Sequence, residues 1–196
     1  MSTHRPLLVS AFAVVCAACG ILDSPPPLLM EVRYQPSVGL HVAKLDAPPI
    51  AVGTFRDERG YWGPRTLGVV TSDGQFRAVE SSVSVASLAE SALADALRVR
   101  GALATGAIAK LQLTGVVRHF KCDQAGAEVA IDWSLRDVES KKLLFSGAHS
   151  ASNRAANRCF ASPTDFRELV ERTLRRVIDD ALDDPAFRSA AAGKVG

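Results

Sequence analysis

The sequence lacks several features by which large classes of protein are recognised. Its longest apolar run, Leu7 to Ala18, has twelve residues, whereas a membrane-spanning helix needs roughly 20. The chain has 23 basic and 21 acidic residues and no long block of either sign, so it has no electrostatic footprint for nucleic acid. Aromatic residues make up only 6% of it, so alanine-rich helices and valine-rich strands must supply most of the core.

Sequence signatures of catalysis and cofactor binding are also absent. There is no Gly-x-Ser-x-Gly segment, no phosphate-binding loop and no dinucleotide-binding glycine pattern. Two histidines and two cysteines are candidates for a zinc site, but His119 and Cys122 are three residues apart and face opposite ways on a strand. No Cys-x-x-Cys or His-x-x-x-His unit includes them or the other two candidates, His149 and Cys159. We therefore expect no metal, no cofactor and no enzyme activity.

The feature that is present at the N-terminus is a processing signal. Arg5 provides a positive charge, Leu7 to Val15 is an apolar segment, and the small residue Ala18 precedes Cys19. This order predicts a lipoprotein signal peptide over residues 1–18 and a diacylglycerol thioether on Cys19. Cys16 is a poorer site because a branched valine precedes it. The alternatives are a membrane-spanning anchor, for which the run is short, and ordinary secretion without a lipid.

The residue after Cys19 indicates the membrane. Gly20 is not an aspartate, and by resemblance to enterobacterial lipoproteins this favours sorting to the outer membrane, at its periplasmic face. Two or three acyl chains would hold the protein there stably. The membrane is thus the first expected partner.

Prolines divide the rest of the chain into a tether and a domain. They fix φ and disfavour helix, which predicts an extended tether over residues 19–49, with Leu29 to Tyr34 able to dock as an edge strand. A single domain is expected over residues 50–185, followed by a flexible tail at 186–196 that is rich in alanine and glycine. The prolines of the tether are Pro25, Pro26, Pro27, Pro36, Pro48 and Pro49.

Periodicity predicts the elements of this domain. Ile50 to Arg56 reads as a buried first strand, and the glycine-rich stretch from Gly60 to Phe76 as a long exposed loop containing a short strand at Leu67 to Thr71. Ser87 to Arg100 has helical spacing and begins with a Ser-x-x-Glu capping box.

The sequence of the second half of the domain predicts three strands and a helix. Apolar and polar residues alternate over 111–118 and 128–136, and a third strand at 143–151 completes an antiparallel meander. Pro163 to Asp183 carries an apolar stripe at helical spacing, with Ser162 as its N-cap. These elements predict an α+β fold, a two-layer sandwich of a mainly antiparallel sheet with two amphipathic helices.

A short motif suggests a family. The first strand runs into Asp57 and Arg59, and Gly68 follows, an order that resembles the YajG-type family of outer-membrane lipoproteins. This resemblance implies an envelope lipoprotein without established catalysis. The layout of strand, helix and meander also resembles that of the auxiliary lipoproteins of ABC-type lipid transport systems.

The same stretch carries the candidate site. Asp57 and Arg59 leave an extended segment on one face, which favours a structural ion pair. Tyr61 and Trp62, between glycines, are possible contacts for a partner, although loop aromatics more often fold back over a sheet. The sequence thus favours a non-enzymatic binding or assembly factor of the cell envelope, with a protein partner at the Gly60 to Phe76 loop and a sheet edge. The alternative, an accessory lipoprotein of lipid transport, requires a wide apolar pocket between helix and sheet.

Two cysteines remain after processing. An oxidising compartment would favour a disulfide between Cys122 and Cys159, which would tie the last helix to the meander. The alternative is a pair of free thiols. The oligomeric state is left open.

Overall fold

The computed structural model describes residues 25–36, 43–60, 62–72, 74–105, 109–154 and 163–193. Over these residues a mixed eight-stranded sheet packs against three helices, which confirms the predicted α+β class. The strands are β1 (Leu28–Met30), β2 (Ile50–Val52), β3 (Arg56–Asp57), β4 (Thr66–Ser72), β5 (Gln75–Ser81), β6 (Leu111–Asp123), β7 (Gly126–Asp137) and β8 (Leu143–Arg154). The helices are α1 (Val85–Val99), α2 (Pro163–Asp183) and α3 (Pro185–Ala191).

The antiparallel meander β6-β7-β8 forms one half of the sheet, with β8 at its edge, as its alternating sequence predicts. Leu113 pairs with Leu135 and Val117 with Ile131, and all four side chains are buried under the helices. Successive residues of a strand point to opposite faces, so the intervening polar residues lie on the outer, solvent-facing side.

Three short strands follow one another along the second edge of β6, all parallel to it. β2 pairs at Leu111 to Leu113, β3 at Val116 and Val117, and β4 meets β6 at Cys122. The first strand predicted from the sequence is therefore divided into β2 and β3. The registers of these two strands along β6 differ by one residue.

The short strand predicted at Leu67 to Thr71 is confirmed as β4, but the predicted loop ends earlier than Phe76, because β5 begins at Gln75. β4 and β5 form an antiparallel hairpin that turns at Gly74, which has a φ of 75°. This positive φ suits glycine, and the Asp-Gly pair at the turn is typical of a hairpin. β1 then adds in parallel to the far side of β5 and gives the strand order β1-β5-β4-β6-β7-β8.

Helix α1 begins earlier than its capping box predicts. Ser84 is the N-cap, and its hydroxyl accepts a hydrogen bond from the Ser87 N–H at 3.1 Å. The predicted box fails because Ser87 already lies within the helix. The Glu90 carboxylate instead accepts from the N–H of Phe55 at 2.7 Å and holds the end of the first strand region against α1.

Helix α2 confirms the predicted segment, and α3 overturns the predicted flexible tail. Ser162, the expected cap of α2, lies outside the described residues. Asp184 caps α3, accepting from the Ala186 N–H at 2.7 Å, and Pro185 occupies the first turn. The buried Phe187 ring packs edge-to-face on Phe145 of β8, with centroids 5.5 Å apart. This contact anchors the C-terminal segment to the domain.

Part of the segment expected to act as a tether also belongs to the domain. Met30, Val32 and Tyr34 are buried. The Tyr34 hydroxyl donates to Asp179 of α2 at 2.9 Å, and Arg100, at the end of α1, donates to the same carboxylate at 3.0 Å. The chain is thus fixed to the sheet edge and to α2 before the first predicted strand begins.

The space between the helices and the sheet is filled. Aliphatic and aromatic side chains from every layer form one buried cluster, in which Phe55 contacts Trp133 edge-to-face at 5.7 Å. Among the described residues, no helix has both the length and the apolar character required to cross a membrane.

Candidate functional site

Asp57 and Arg59 form a buried ion pair where β3 ends. The Arg59 side chain is only 2% exposed, and its guanidinium donates to both carboxylate oxygens of Asp57, at 2.8 Å and 2.7 Å. Burial opposes ionisation of Asp57, but the hydrogen bonds and charge of Arg59 outweigh it and hold the pKa of the carboxyl below its ordinary value. The structural pairing expected from the sequence is present.

The same guanidinium fixes the loop between β3 and β4. It donates to the carbonyl of Thr66 at 2.6 Å and to that of Gly63 at 3.1 Å. Every donor direction of Arg59 is therefore used within the fold, with a longer contact of 3.4 Å to the Phe120 carbonyl. This arrangement positions the loop and leaves no part of the guanidinium for a ligand.

Gly68 allows β4 to approach β6. A Cβ atom built on Gly68 would lie 1.7 Å from the Cys122 carbonyl oxygen, far inside contact distance. The two strands pair at this position, so any side chain here would force them apart. The three residues that carry the family resemblance thus share one structural role, the placement of the β3-β4 loop and the β4-β5 hairpin.

Cys122 is buried and is the one cysteine within the described part of the chain. Burial, with a smaller contribution from the Asp123 charge, raises the pKa of the Cys122 thiol well above its ordinary value, so the thiol is a poor nucleophile. Cys159 lies outside the described residues. The disulfide between them stays a prediction.

The loop and the hairpin together form a surface groove of about 380 Å³. Trp62, Val69 and Thr71 line it, and Phe76 projects from β5 with 77% of its surface exposed. Register places Phe76 directly opposite Thr71, so both belong to the outer face of the hairpin. We name this the Trp62 groove; its other lining residues are Lys121, Asp123, Gln124 and Ala125.

The polar side of the Trp62 groove is fixed by contacts within the fold. Lys121 and Asp123 form an ion pair at 2.6 Å, and the Gln124 side chain donates to the Thr71 carbonyl at 3.1 Å. The charges in the groove therefore cancel locally. Phe76 is exposed and Trp62 partly exposed in its lining, which suits an apolar or aromatic side chain of a partner.

Sequence reasoning found part of this site. Trp62 is in the groove, whereas Tyr61 and Cys19 lie outside the described residues and their predicted roles stay predictions. The sequence does not single out Phe76 as a contact residue, because the stretch that ends there reads as loop whereas the structure has a strand. The Asp-Gly turn just before it was the available signal.

No metal-binding group emerges from the part of the chain that the structure describes: no three His, Cys, Asp or Glu side chains lie close enough to share an ion. His119 contacts Glu128 at 3.3 Å on the outer face of the sheet. His149 contacts Asp184 at 3.1 Å beside α3. The histidines thus have separate partners at separate places.

A second cleft, of about 330 Å³, lies between α1 and the first strand region. Glu90 and Ser91 line it with Val52 and Gly53. The Glu90 carboxylate is already held by the Phe55 N–H, so the carboxylate that lines this cleft has a structural role.

Comparison with known proteins establishes the fold alone. No family model matches the chain, and no curated protein matches it. The crystal structure of protein XCC0632 from Xanthomonas campestris, of the DUF330 family, matches 85% of this chain and 99% of its own, with 15% identity and a TM-score of 0.60. A protein described only as uncharacterised matches 77% of this chain and 96% of its own, with 9% identity and a TM-score of 0.52.

A lipoprotein is also among the similar structures. GNA1162 from Neisseria meningitidis matches 66% of this chain and 97% of its own, with 13% identity and a TM-score of 0.27. That score is too low to support an argument about fold or function. The first two similarities place the chain in a known α+β architecture.

Proposed function

We propose that this chain is a non-enzymatic envelope lipoprotein of the YajG type that binds a protein partner through the Trp62 groove. The observation that carries the proposal is the exposure of Phe76, 77%, beside Trp62 on a surface whose charges are already paired. Exposed aromatic residues that cluster in a groove are typical of protein contacts. Cys19 would carry the lipid and hold the domain at the periplasmic face of the outer membrane.

The buried polar residues support a binding role over catalysis. Arg59 and Arg100 are paired with carboxylates, and Glu171 accepts from the backbone N–H of Arg33 at 3.1 Å. Thr173 of α2 accepts from the Asn153 side chain of β8 at 2.9 Å and donates to the Leu169 carbonyl within its own helix at 2.8 Å. These contacts hold elements together, and none leaves a reactive group directed into a cleft.

The packed core argues against the alternative role in lipid transport. A lipid-handling domain needs an apolar cavity of several hundred Å³. In the described residues, the interior between helices and sheet is occupied by side chains such as Trp133 and Phe120, which are 1% exposed. We therefore favour a protein partner over a lipid ligand.

Photo-crosslinking in the intact envelope tests the groove. A photoreactive amino acid is placed at Trp62 or Phe76, with Val99 at the end of α1 as the control, because it is also exposed, at 45%, but lies outside the groove. We expect the same protein adduct from both groove positions and not from the control. Labelling of lipid alone from Trp62 and Phe76 would instead support the transport accessory.

Membrane fractionation tests the anchor separately. Cys19→Ser should release the protein from the membrane fraction and prevent lipid-dependent processing, whereas Cys16→Ser should change neither. The reverse pattern would move the lipid to Cys16.

A further inference from the structure

The far edge of the sheet offers an interaction surface that is separate from the Trp62 groove. β8 pairs with β7 on one side, and no other strand pairs with it in the ranges that the structure describes. The pairing is regular from Phe145 to Arg154, because the one register shift lies before Phe145. The outer side of β8 is therefore a long strand edge without a strand partner.

Hydrogen bonds at β7 reveal how the backbone groups alternate. The N–H of Asp137 donates to the Lys142 carbonyl at 3.0 Å, so odd-numbered residues of β7 direct their backbone groups towards β8. On the other side of β7, the Ser134 carbonyl accepts from the Thr114 hydroxyl of β6 at 3.3 Å, in agreement with even-numbered residues facing β6.

This alternation continues into β8. Leu135 pairs with Phe145, so Phe145 and every second residue after it direct their N–H and C=O groups to β7. The residues between them direct theirs to the free edge. These residues, whose side chains are also exposed, are Ser146, Ala148, Ser150 and Ser152.

The edge lacks the usual protection against strand pairing. Exposed edges are normally guarded by charged residues, proline, a bulge or short length, because unpaired backbone groups associate with other strands. β8 has no Lys, Arg, Asp, Glu or Pro between Leu143 and Asn153. The opposite edge, β1, has only three residues. β8 thus has the composition of a strand whose second edge pairs with another strand when the protein functions.

We propose that β8 pairs in antiparallel fashion with β8 of a second copy of this chain, forming a dimer with one continuous sheet. A two-fold axis brings the same strand edge to itself in antiparallel orientation. Registers centred on Ala148, His149 or Ser150 all align the free backbone groups of the two edges. The first sets Arg154 against Lys142, and the second sets the two partly buried His149 side chains against each other. The third sets Arg154 against Ser146 and faces no like charges within β8, so the pairing is centred on Ser150.

Mass measurement on the full chain in detergent tests the dimer. Wild type should show a mass that doubles with rising concentration. Ser150→Pro removes the N–H at the free edge, where β7 needs no donor, so the fold should persist. It removes two intermolecular hydrogen bonds across the two-fold axis. We therefore expect the dissociation constant of the dimer to rise about tenfold or more. Ser150→Ala keeps the N–H and should dimerise like wild type.

Two results would overturn the dimer. One is a monomeric wild type at all concentrations, which would also be the outcome if β8 served a foreign strand. The other is equal dimerisation of the proline and alanine variants. If Ser150→Pro proves misfolded by circular dichroism, Ser150→Lys tests the same edge, because a charge there opposes pairing.

Cysteine crosslinking tests the register. Two Ser150→Cys copies would have Cα atoms about 5.5 Å apart, within disulfide range. Ser140→Cys, in the exposed turn before β8, is the matched control. A crosslinked dimer from position 150 but not from 140 is expected; crosslinking from 140 alone would contradict the arrangement. The Trp62 groove and Cys19 take no part, so failure here is distinct from failure of the proposed function.

Discussion

Replacing Arg59 with methionine tests whether the buried ion pair organises the β3-β4 loop. Methionine has similar length but no donors, so Asp57 and the carbonyls of Thr66 and Gly63 would lose their partner. Removing one member of a buried pair typically costs about 3–5 kcal/mol. Asp57 retains 19% side-chain exposure and can recruit some water, so we expect about 3 kcal/mol, at the lower end of that range.

A surface arginine provides the matched control. Arg118 also donates to an aspartate, Asp132, at 2.6 Å, but its side chain is 50% exposed. Surface pairs contribute roughly 0–1 kcal/mol, so Arg118→Met should have a small effect. Adding Asp57→Leu to Arg59→Met should recover part of the loss, because no unpaired carboxylate then remains buried.

Urea denaturation followed by far-UV circular dichroism measures all three differences. Hydrogen exchange should also show faster exchange in the β3-β4 loop of Arg59→Met. If Arg59→Met and Arg118→Met lose the same stability, the argument that burial makes the Arg59 pair structural is refuted.

Four further predictions follow from the same contacts. Because the pKa of Asp57 is lowered in the folded state, its contribution is complete above about pH 4 and is lost as the pH falls through the lowered pKa, so Asp57→Asn should flatten the acid limb of the stability profile. Gly68→Ala should cost about 1–3 kcal/mol or more, measured by urea denaturation, since its Cβ would strike the Cys122 carbonyl; an unchanged midpoint would argue against the close strand approach. Phe187→Ala should cost about 3–5 kcal/mol and expose the last helix to proteolysis, and resistance equal to wild type would contradict its anchoring role. Non-reducing peptide mapping should find Cys122 joined to Cys159, with reduction lowering stability by roughly 4 kcal/mol; two alkylatable thiols would rule the bond out.

The central strands were predictable because their sequence has a strong period. Leu113 and Leu135 alternate with polar neighbours on strands that bury one face, and no other element offers the same pattern. Helix α2 was predictable for the corresponding reason, since its apolar stripe is five turns long.

The elements that the sequence does not predict correctly have weak local signals, or have two equally good signals close together. β5 carries an exposed phenylalanine where alternation would place a polar residue, and its role becomes clear only when it pairs with β4. Helix α3 has a good start signal in Asp184 and Pro185, but its short length gives no period to detect. Ser84 and Ser87 are equally good N-caps by residue type. In the structure Ser84 is the cap, because the helix begins at Val85, whose side chain is buried.

The candidate site was only half predictable for a related reason. Trp62 stands out as an aromatic residue between glycines, but the groove exists because a hairpin brings Phe76 beside it from fourteen residues away. Such a surface depends on strand register, which the turn at Gly74 sets only once residues 75–81 are recognised as a strand.

If Cys19 carries a lipid as proposed, the docking of Met30, Val32 and Tyr34 limits how far the domain can travel from it. Had the whole stretch to residue 49 been free, its contour would allow an excursion of about 100 Å. With the sheet beginning at Leu28, nine residues remain, and a fully extended chain of that length spans about 30 Å at most. The near side of the domain would then stay within about 30 Å of the membrane surface, so a partner would have to reach it there.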